Sequence, residues 1–189
     1  MDRDAALCEK AGAALIFHPE PEEMYDDNFS SFVDMNTLTG GLCGKTRPIH
    51  FRGVCTVVAK LFNIVTPDRA YFGQKDAQQL AVIRHMVNDL SFGIEIVGCP
   101  IIREEDGLAK SSRNTYLSEE ERKAALVLSH SLKEGRKLVD AGEKDAAKVK
   151  KAITDIIEKE PLAKIDYVEV VDWNTLEPVE RIDGPILTA

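Results

Sequence analysis

The sequence has no CxxC pair: Cys8, Cys43, Cys55 and Cys99 stand far apart. Zinc ribbons and disulfide scaffolds repeat their thiols at tight spacings, so neither is supported, and buried free thiols are expected. His18, His50, His85 and His130 are equally dispersed, with no two at helical metal-ligand spacing. No metal site is therefore expected. Long apolar runs are missing too. The longest, residues 11–17, is far too short for a bilayer, and Met1-Asp2-Arg3-Asp4 does not open a signal peptide. A cytoplasmic location follows as the expectation. Basic charge is in deficit, with 24 Lys and Arg against 32 Asp and Glu, which argues against a broad nucleic-acid or membrane surface but leaves room for a local basic pocket. Neither internal repeats nor low-complexity segments occur. What remains is an ordinary globular composition on 189 residues. That length suits one domain, or a domain and a small partner, at about 100–200 residues each. Such a chain buries about 70% of its unfolded surface, enough for a core without disulfides or metal.

The first two thirds alternate between helical and strand patterns. Residues 4–10 read as a helix stopped by Gly12, residues 13–17 as a short strand, residues 18–28 as an acidic, Pro-bearing loop, and residues 31–33 as a second short strand. Val54, Val57, Val58, Leu61, Phe62 and Val65 repeat at helical spacing after Gly53, and Pro67 ends that helix. Residues 70–72 form a strand stopped by Gly73. Asp76 is placed to cap the next helix with Gln79 at its third position, and Leu80, Ile83, Val87 and Leu90 make its apolar stripe. A strand at 94–97 follows, closed by Pro100. Strand, turn, helix and strand make a βαβ crossover, so the sheet is parallel here and ligands are expected at its carboxyl edge.

After Asn114 the texture changes. Ser118-x-x-Glu121 is a capping box for a helix lined by Ala125, Leu128, Leu132 and Val139 and stopped by Gly142. Val149, Ile153, Ile156 and Ile157 mark another helix, ended by Pro161. Strands are expected at 165–171 and 176–182. The fold class is α/β with a second, small α+β domain, divided into residues 1–102 and 103–189.

Two loops carry candidate chemistry. Gly73-Gln74-Lys75-Asp76 lies where a strand meets a helix amino terminus, which offers free N–H groups and the positive end of the helix dipole. Lys75 adds a cation for a phosphate, and Asp76 an acceptor for ribose hydroxyls. A turn, a cap and a surface charge account for the same residues. Lys110-Ser111-Ser112-Arg113-Asn114 sets two hydroxyls between cations, which suits triphosphate oxygens, and Gly107 gives the loop freedom to move. By itself it is equally a solvated basic loop, but it leaves the neighbouring strand's end and can reach the first site. Arg47 and His50 precede a helix start and suit a carboxylate or phosphate, or simply a docking loop. Tyr25 reads as a half-buried ring and Trp173 as packing.

The run RPIHFRGVCTVVAKLFNIVTPDRAYFGQKDAQQLAVIRHMVNDL, followed by PIIREEDGLAKSSRN and YLS, closely resembles the pantothenate synthetase (pantoate:β-alanine ligase) family, densely from Arg47 to Ser118. The resemblance implies a Rossmann-like nucleotidyltransferase domain similar to class I aminoacyl-tRNA synthetases. It implies activation of pantoate by Mg-ATP to an acyl adenylate, release of pyrophosphate, and attack by β-alanine to give pantothenate and AMP. It assigns Gly73, Gln74, Lys75 and Asp76 to ATP, Gln79 to pantoate, Ile102 to the adenine side, and Lys110, Ser111, Ser112 and Arg113 to a flexible phosphate loop. Lys75, Ser111, Ser112 and Arg113 are then the catalytic set, Mg2+ comes with ATP, and a homodimer is expected.

Departures accompany the likeness. The family opens with a strand ending in a His-x-Gly-His loop and an upstream Gln toward pantoate, and this sequence has neither. It therefore reads as lacking the first strand unit and a last strand, and is expected to be inactive or nearly so alone. Asp26 stands where the family has Pro, and Lys110 where it has Met or Leu, which adds a cation to a phosphate loop. The alternatives are another Rossmann nucleotidyltransferase and a non-catalytic nucleotide-binding remnant.

Overall fold

The computed structural model describes residues 2–189. The chain divides into two compact units, Met1–Ser31 and Phe32–Ala189. In the first, α1 spans Asp2–Lys10, with Asp2 and Asp4 in its first turn and Lys10 in its last, each sign matching the helix dipole. Gly12 leaves it at φ +82. The strand expected at 13–17 does not form: the apolar run finds no ladder partner, and Leu15 is exposed. Inside the expected loop, α2 (Pro21–Met24) makes one turn, nucleated by Pro21 and a Glu20/Glu23 capping box.

The strand expected at 31–33 is also absent. Val33 instead donates its N–H to Thr56 Oγ1 at 3.0 Å, a side-chain bond in place of a ladder. A short helix α3 (Leu42–Thr46) leads to α4 (His50–Val65), which starts ahead of Gly53 and ends with Thr66 in the left-handed region at φ 46 before Pro67. Its buried face is Phe51, Cys55, Val58, Ala59 and Phe62, whereas Val65 is exposed, so the core-facing stripe is rotated from the expected one.

Strand β1 (Arg69–Gly73) pairs in parallel with β2 (Glu95–Cys99), from Arg69 opposite Glu95 to Gly73 opposite Cys99. Between them lie a 3-10 turn at Gln74–Asp76 and α5 (Ala77–Asp89), which gives the crossover read from the periodicity. Leu80, Val82, Ile83 and Met86 are almost wholly buried, and Phe62 sets its ring edge-on to Phe72 and Phe92 at 6.4 and 5.8 Å. Leu90 lies outside this stripe and is exposed. The expected Asp76/Gln79 capping box is not made: Asp76 takes φ −98, ψ 60 and forms no side-chain cap bond. The 3-10 turn at Gln74–Asp76 runs straight into α5 and sets these backbone angles.

Beyond β2, Arg103 pairs antiparallel with Ala109 around a turn at Gly107, φ +101, and a 3-10 helix covers Ser112–Tyr116. The Ser118/Glu121 capping box forms as expected, with Ser118 N–H to Glu121 Oε2 at 2.8 Å and Glu121 N–H to Ser118 Oγ at 3.2 Å. The helix it opens breaks in two at Ala125, into α6 (Glu119–Ala124) and α7 (Leu126–Asp140). Asp145 caps α8 (Ala146–Ile157) with its Oδ1 on the N–H groups of Ala147 and Lys148. Gly135 lets α7 and α8 approach closely, since a Cβ there would fall 2.5 Å from Ile153 Cδ1.

A second core joins Val149, Ile153 and Ile157 to Val168, Val170 and Ile182. Of the two strands expected here only part of the first forms, β3 (Val170–Asp172); it pairs antiparallel with β4 (Ile186–Thr188) and touches residues 177–179 only through an isolated bridge at Val171 and Pro178. The Asp172 carboxylate accepts the N–H groups of Asn174 and Thr175, and Leu176 sits at φ 56. Pro178 then lacks a donor, so this stretch makes isolated bridges instead of a ladder. The architecture is mixed α/β, a small parallel pair and a small antiparallel pair among helices. Of the four thiols only Cys55 is buried, the others being partly exposed. Among the described residues no helix is long and apolar enough to cross a membrane.

Candidate active site

The parallel crossover delivers Gln74, Lys75 and Asp76 at the carboxyl end of β1, just where α5 begins. Asp76 makes no side-chain cap bond here, so this helix start presents its positive dipole end without a carboxylate bonded across it. Lys75 Nζ lies 3.6 Å from Asp76 Oδ1, with both side chains partly exposed, so this cation and this carboxylate stand together at the rim.

A cavity of about 670 Å³ opens here. Gln74 to Gln79 line it, together with Thr46, Arg47 and His50 from the approach to α4, Ser111 to Arg113 from the later loop, and Asp166, Tyr167 and residues 187–189. That volume is in the range of small-molecule sites. Arg47, Lys75 and Arg113 supply cations and Asp76 and Asp166 carboxylates, so charges of both signs meet in this cavity. The Tyr167 phenol is pushed above its ordinary range, chiefly by burial.

The later loop has its own scaffold. Lys110 N–H donates to Ile102 O at 2.9 Å, and Asn114 Nδ2 to Ala109 O at 3.0 Å. Arg122 Nη1 meets Asp106 Oδ2 at 2.6 Å and holds that carboxyl below its ordinary range, helped by the N–H of Leu108. Ser111 Oγ accepts the Arg113 N–H at 3.3 Å and caps the 3-10 turn. Ser111, Ser112 and Arg113 are thereby presented to the cavity.

Of the residues singled out from the sequence, Gln74, Lys75, Asp76, Gln79, Ser111, Ser112 and Arg113 line one cavity. Gly73, Ile102 and Lys110 are not on it. Gly73 ends the strand, Ile102 is 64% exposed with Ile101 on the wall beside it, and Lys110 Nζ sits 3.7 Å from Glu104. Arg47 and His50 also line it, as their position before a helix start allowed. Thr46, Gln78, Asp166 and Tyr167 had no sequence signal, because each is carried there by tertiary packing. The buried Cys55 thiol is raised to about 11, first by desolvation, which makes it a packing group and no nucleophile. Among the described residues no three His, Cys, Asp or Glu side chains gather to hold a metal.

The family model described as pantoate-beta-alanine ligase matches residues 1–189. A pantothenate synthetase of Clostridium acetobutylicum is 64% identical over 189 residues, all of this chain and 67% of that protein. One from Ruminiclostridium cellulolyticum is 58% identical over the same length, again 67% of that protein. Among solved structures, the pantothenate synthetase of Thermus thermophilus superposes with a TM-score of 0.92 at 47% identity, over 95% of this chain and 65% of that one. The pantoate-beta-alanine ligase of Francisella tularensis, complexed with beta-gamma ATP and beta-alanine, gives 0.72 at 27% identity, over 89% of this chain and 60% of that one. The chain thus spans about two thirds of the length of these relatives.

Proposed function

The chain belongs to the pantoate-β-alanine ligase family, and on that premise we propose that it joins pantoate to β-alanine through a pantoyl adenylate, with ATP cleaved to AMP and pyrophosphate. The observation that carries this reading is the shared cavity, whose wall includes both the Gln74–Gln79 turn and Ser111, Ser112 and Arg113. The pantoate carboxylate attacks the α-phosphorus and pyrophosphate leaves. The β-alanine amine then attacks the acyl carbon, loses a proton, and AMP leaves.

Negative charge gathers on the phosphates in the first step. Lys75 and Arg113 offset it as fixed cations, and the Ser111 and Ser112 hydroxyls donate hydrogen bonds to the same oxygens. Asp76 accepts from the ribose hydroxyls and Gln79 turns its amide toward pantoate. Gly73 gives the turn its close approach, Ile102 lies toward the adenine and Lys110 adds charge from behind the loop. Mg2+ carried by ATP would, when bound, supply further neutralisation of phosphate charge. A functional division into residues 1–102 and 103–189, a Rossmann-like first part and a homodimer belong to the same reading.

The test is calorimetric titration with Mg-ATP and with pantoate, followed by mass spectrometry of a mixture that also holds β-alanine. Saturable binding of both, and pantothenate and AMP in equal amounts, are expected. Turnover by these 189 residues alone is expected to be slow, since they contain no His-x-Gly-His. Binding of ATP with an acid other than pantoate would favour a different nucleotidyltransferase, and failure to bind ATP would overturn the reading.

A further inference from the structure

Two adjacent glutamines open α5, and the fold treats them differently. Gln79 is partly exposed on the cavity wall, whereas Gln78 is 7% exposed, the one buried polar residue of the helix. Gln78 Nε2 donates to Leu38 O and to Gly41 O, both at 2.9 Å. Both amide hydrogens are used, and Oε1 is left buried without a partner. The two carbonyls also fix the amide's orientation, because the flipped form would set oxygen against oxygen twice.

The segment so held has little reason to keep its shape unaided. Leu42 sits at φ 49, and Gly44 packs so tightly that a Cβ would fall 1.9 Å from Thr39 O. A non-glycine residue in that region persists only where the surroundings over-determine it. Immediately downstream, Thr46 and Arg47 line the same cavity as Lys75 and Gln79.

We propose that Gln78 is a positioning residue: its amide ties residues 38–41 to the first turn of α5 and so sets the span between the Thr46/Arg47 edge and the Lys75/Gln79 edge. The role of that span rests on the cavity being the nucleotide and acid site.

Three variants separate hydrogen bonding from space filling. Gln78→Glu keeps the length but turns acceptors on both carbonyls, Gln78→Met fills the space without a polar atom, and Gln78→Asn keeps a donating amide on a shorter stem. Hydrogen exchange over residues 36–46 is read by mass spectrometry, and Mg-ATP and pantoate are titrated into each variant. In Gln78→Glu, exchange over 36–46 rises and affinity falls, each by about tenfold or more, as expected for two lost buried bonds. Exchange in α7 and α8 is unchanged. The order runs wild type, Asn, Met, Glu. Met nearest to wild type, or unchanged exchange over 36–46 in Gln78→Glu, overturns the proposal. Should Gln78→Glu not fold, Asn against Met makes the same decision. If the unsubstituted chain binds neither ligand, the functional reading fails, while the exchange order still decides whether Gln78 holds the wall.

Discussion

The turn at residues 73–79 and the loop at residues 102–116 reach the same cavity on different foundations. Behind the turn stand Leu80, Val82, Ile83 and Met86, each at most 1% exposed, and a five-residue parallel register. The loop rests on a hairpin, exposed ion pairs from Asp106 to Arg122 and Glu104 to Lys110, and side-chain bonds to backbone. Buried apolar contacts give way only when the core opens, whereas exposed polar bonds exchange with water at little cost. A site that must admit a large charged substrate and then surround it gains from one fixed wall and one compliant wall.

Substitutions test that contrast from both sides. The largest effect is expected from Lys75→Ala made in a full-length version of the protein, which should slow adenylation by roughly 10²–10³-fold, as removal of a fixed transition-state donor does. A rate assay with saturating ATP and pantoate checks it, and a change confined to KM would mean that Lys75 only binds. Next comes Ile83→Ala in the fixed wall, with a loss of about 2–5 kcal/mol in urea unfolding, because a fully buried branched side chain leaves a cavity. Gly44→Ala should cost about 1–3 kcal/mol, since its Cβ meets the Thr39 backbone and that segment must shift.

The smallest effect belongs to the compliant wall. Arg122→Ala should leave the melting temperature almost unmoved yet speed hydrogen exchange over residues 103–116. Acid should act in the same direction. The Asp106 carboxyl is lowered by Arg122 and the Leu108 N–H, and Glu121 by the Ser118 N–H. Their contribution is therefore present above the ordinary carboxylate range and lost as pH falls through the lowered values. Exchange measured down a pH series, corrected for intrinsic rates, should show this loop loosening before α5. Simultaneous loosening would break the contrast.

Much of this arrangement was legible locally. Pro67 marked the end of α4, the Ser118/Glu121 box formed as written, and the period of α5 between two short strands announced the crossover. Failures fell where local pattern and packing part company. Residues 13–17 and 31–33 carry strand-like side chains but no neighbouring strand, and a strand exists only with a partner. Asp76 has the residue type of a cap, yet the 3-10 turn before α5 decides its backbone angles. The strand expected at 176–182 is reduced to isolated bridges, with Asp172 and Leu176 turning the chain just before it, and the ladder partner of β3 is instead 186–188.

What the sequence by itself determined is the chemistry at hand and its spacing: a Lys and Asp at a strand–helix junction, two serines and an Arg in a later loop, and caps and breakers that act within a turn of helix. Periodicity and capping are settled among neighbours a few residues apart, so they can be read in order along the chain. The tertiary structure decided that these two loops share one cavity, that Gln78 is buried while Gln79 stays partly exposed, and that Thr46, Asp166 and Tyr167 join them. Burial depends on what packs from elsewhere in the chain, and two glutamines side by side carry no sign of which one will lose its water.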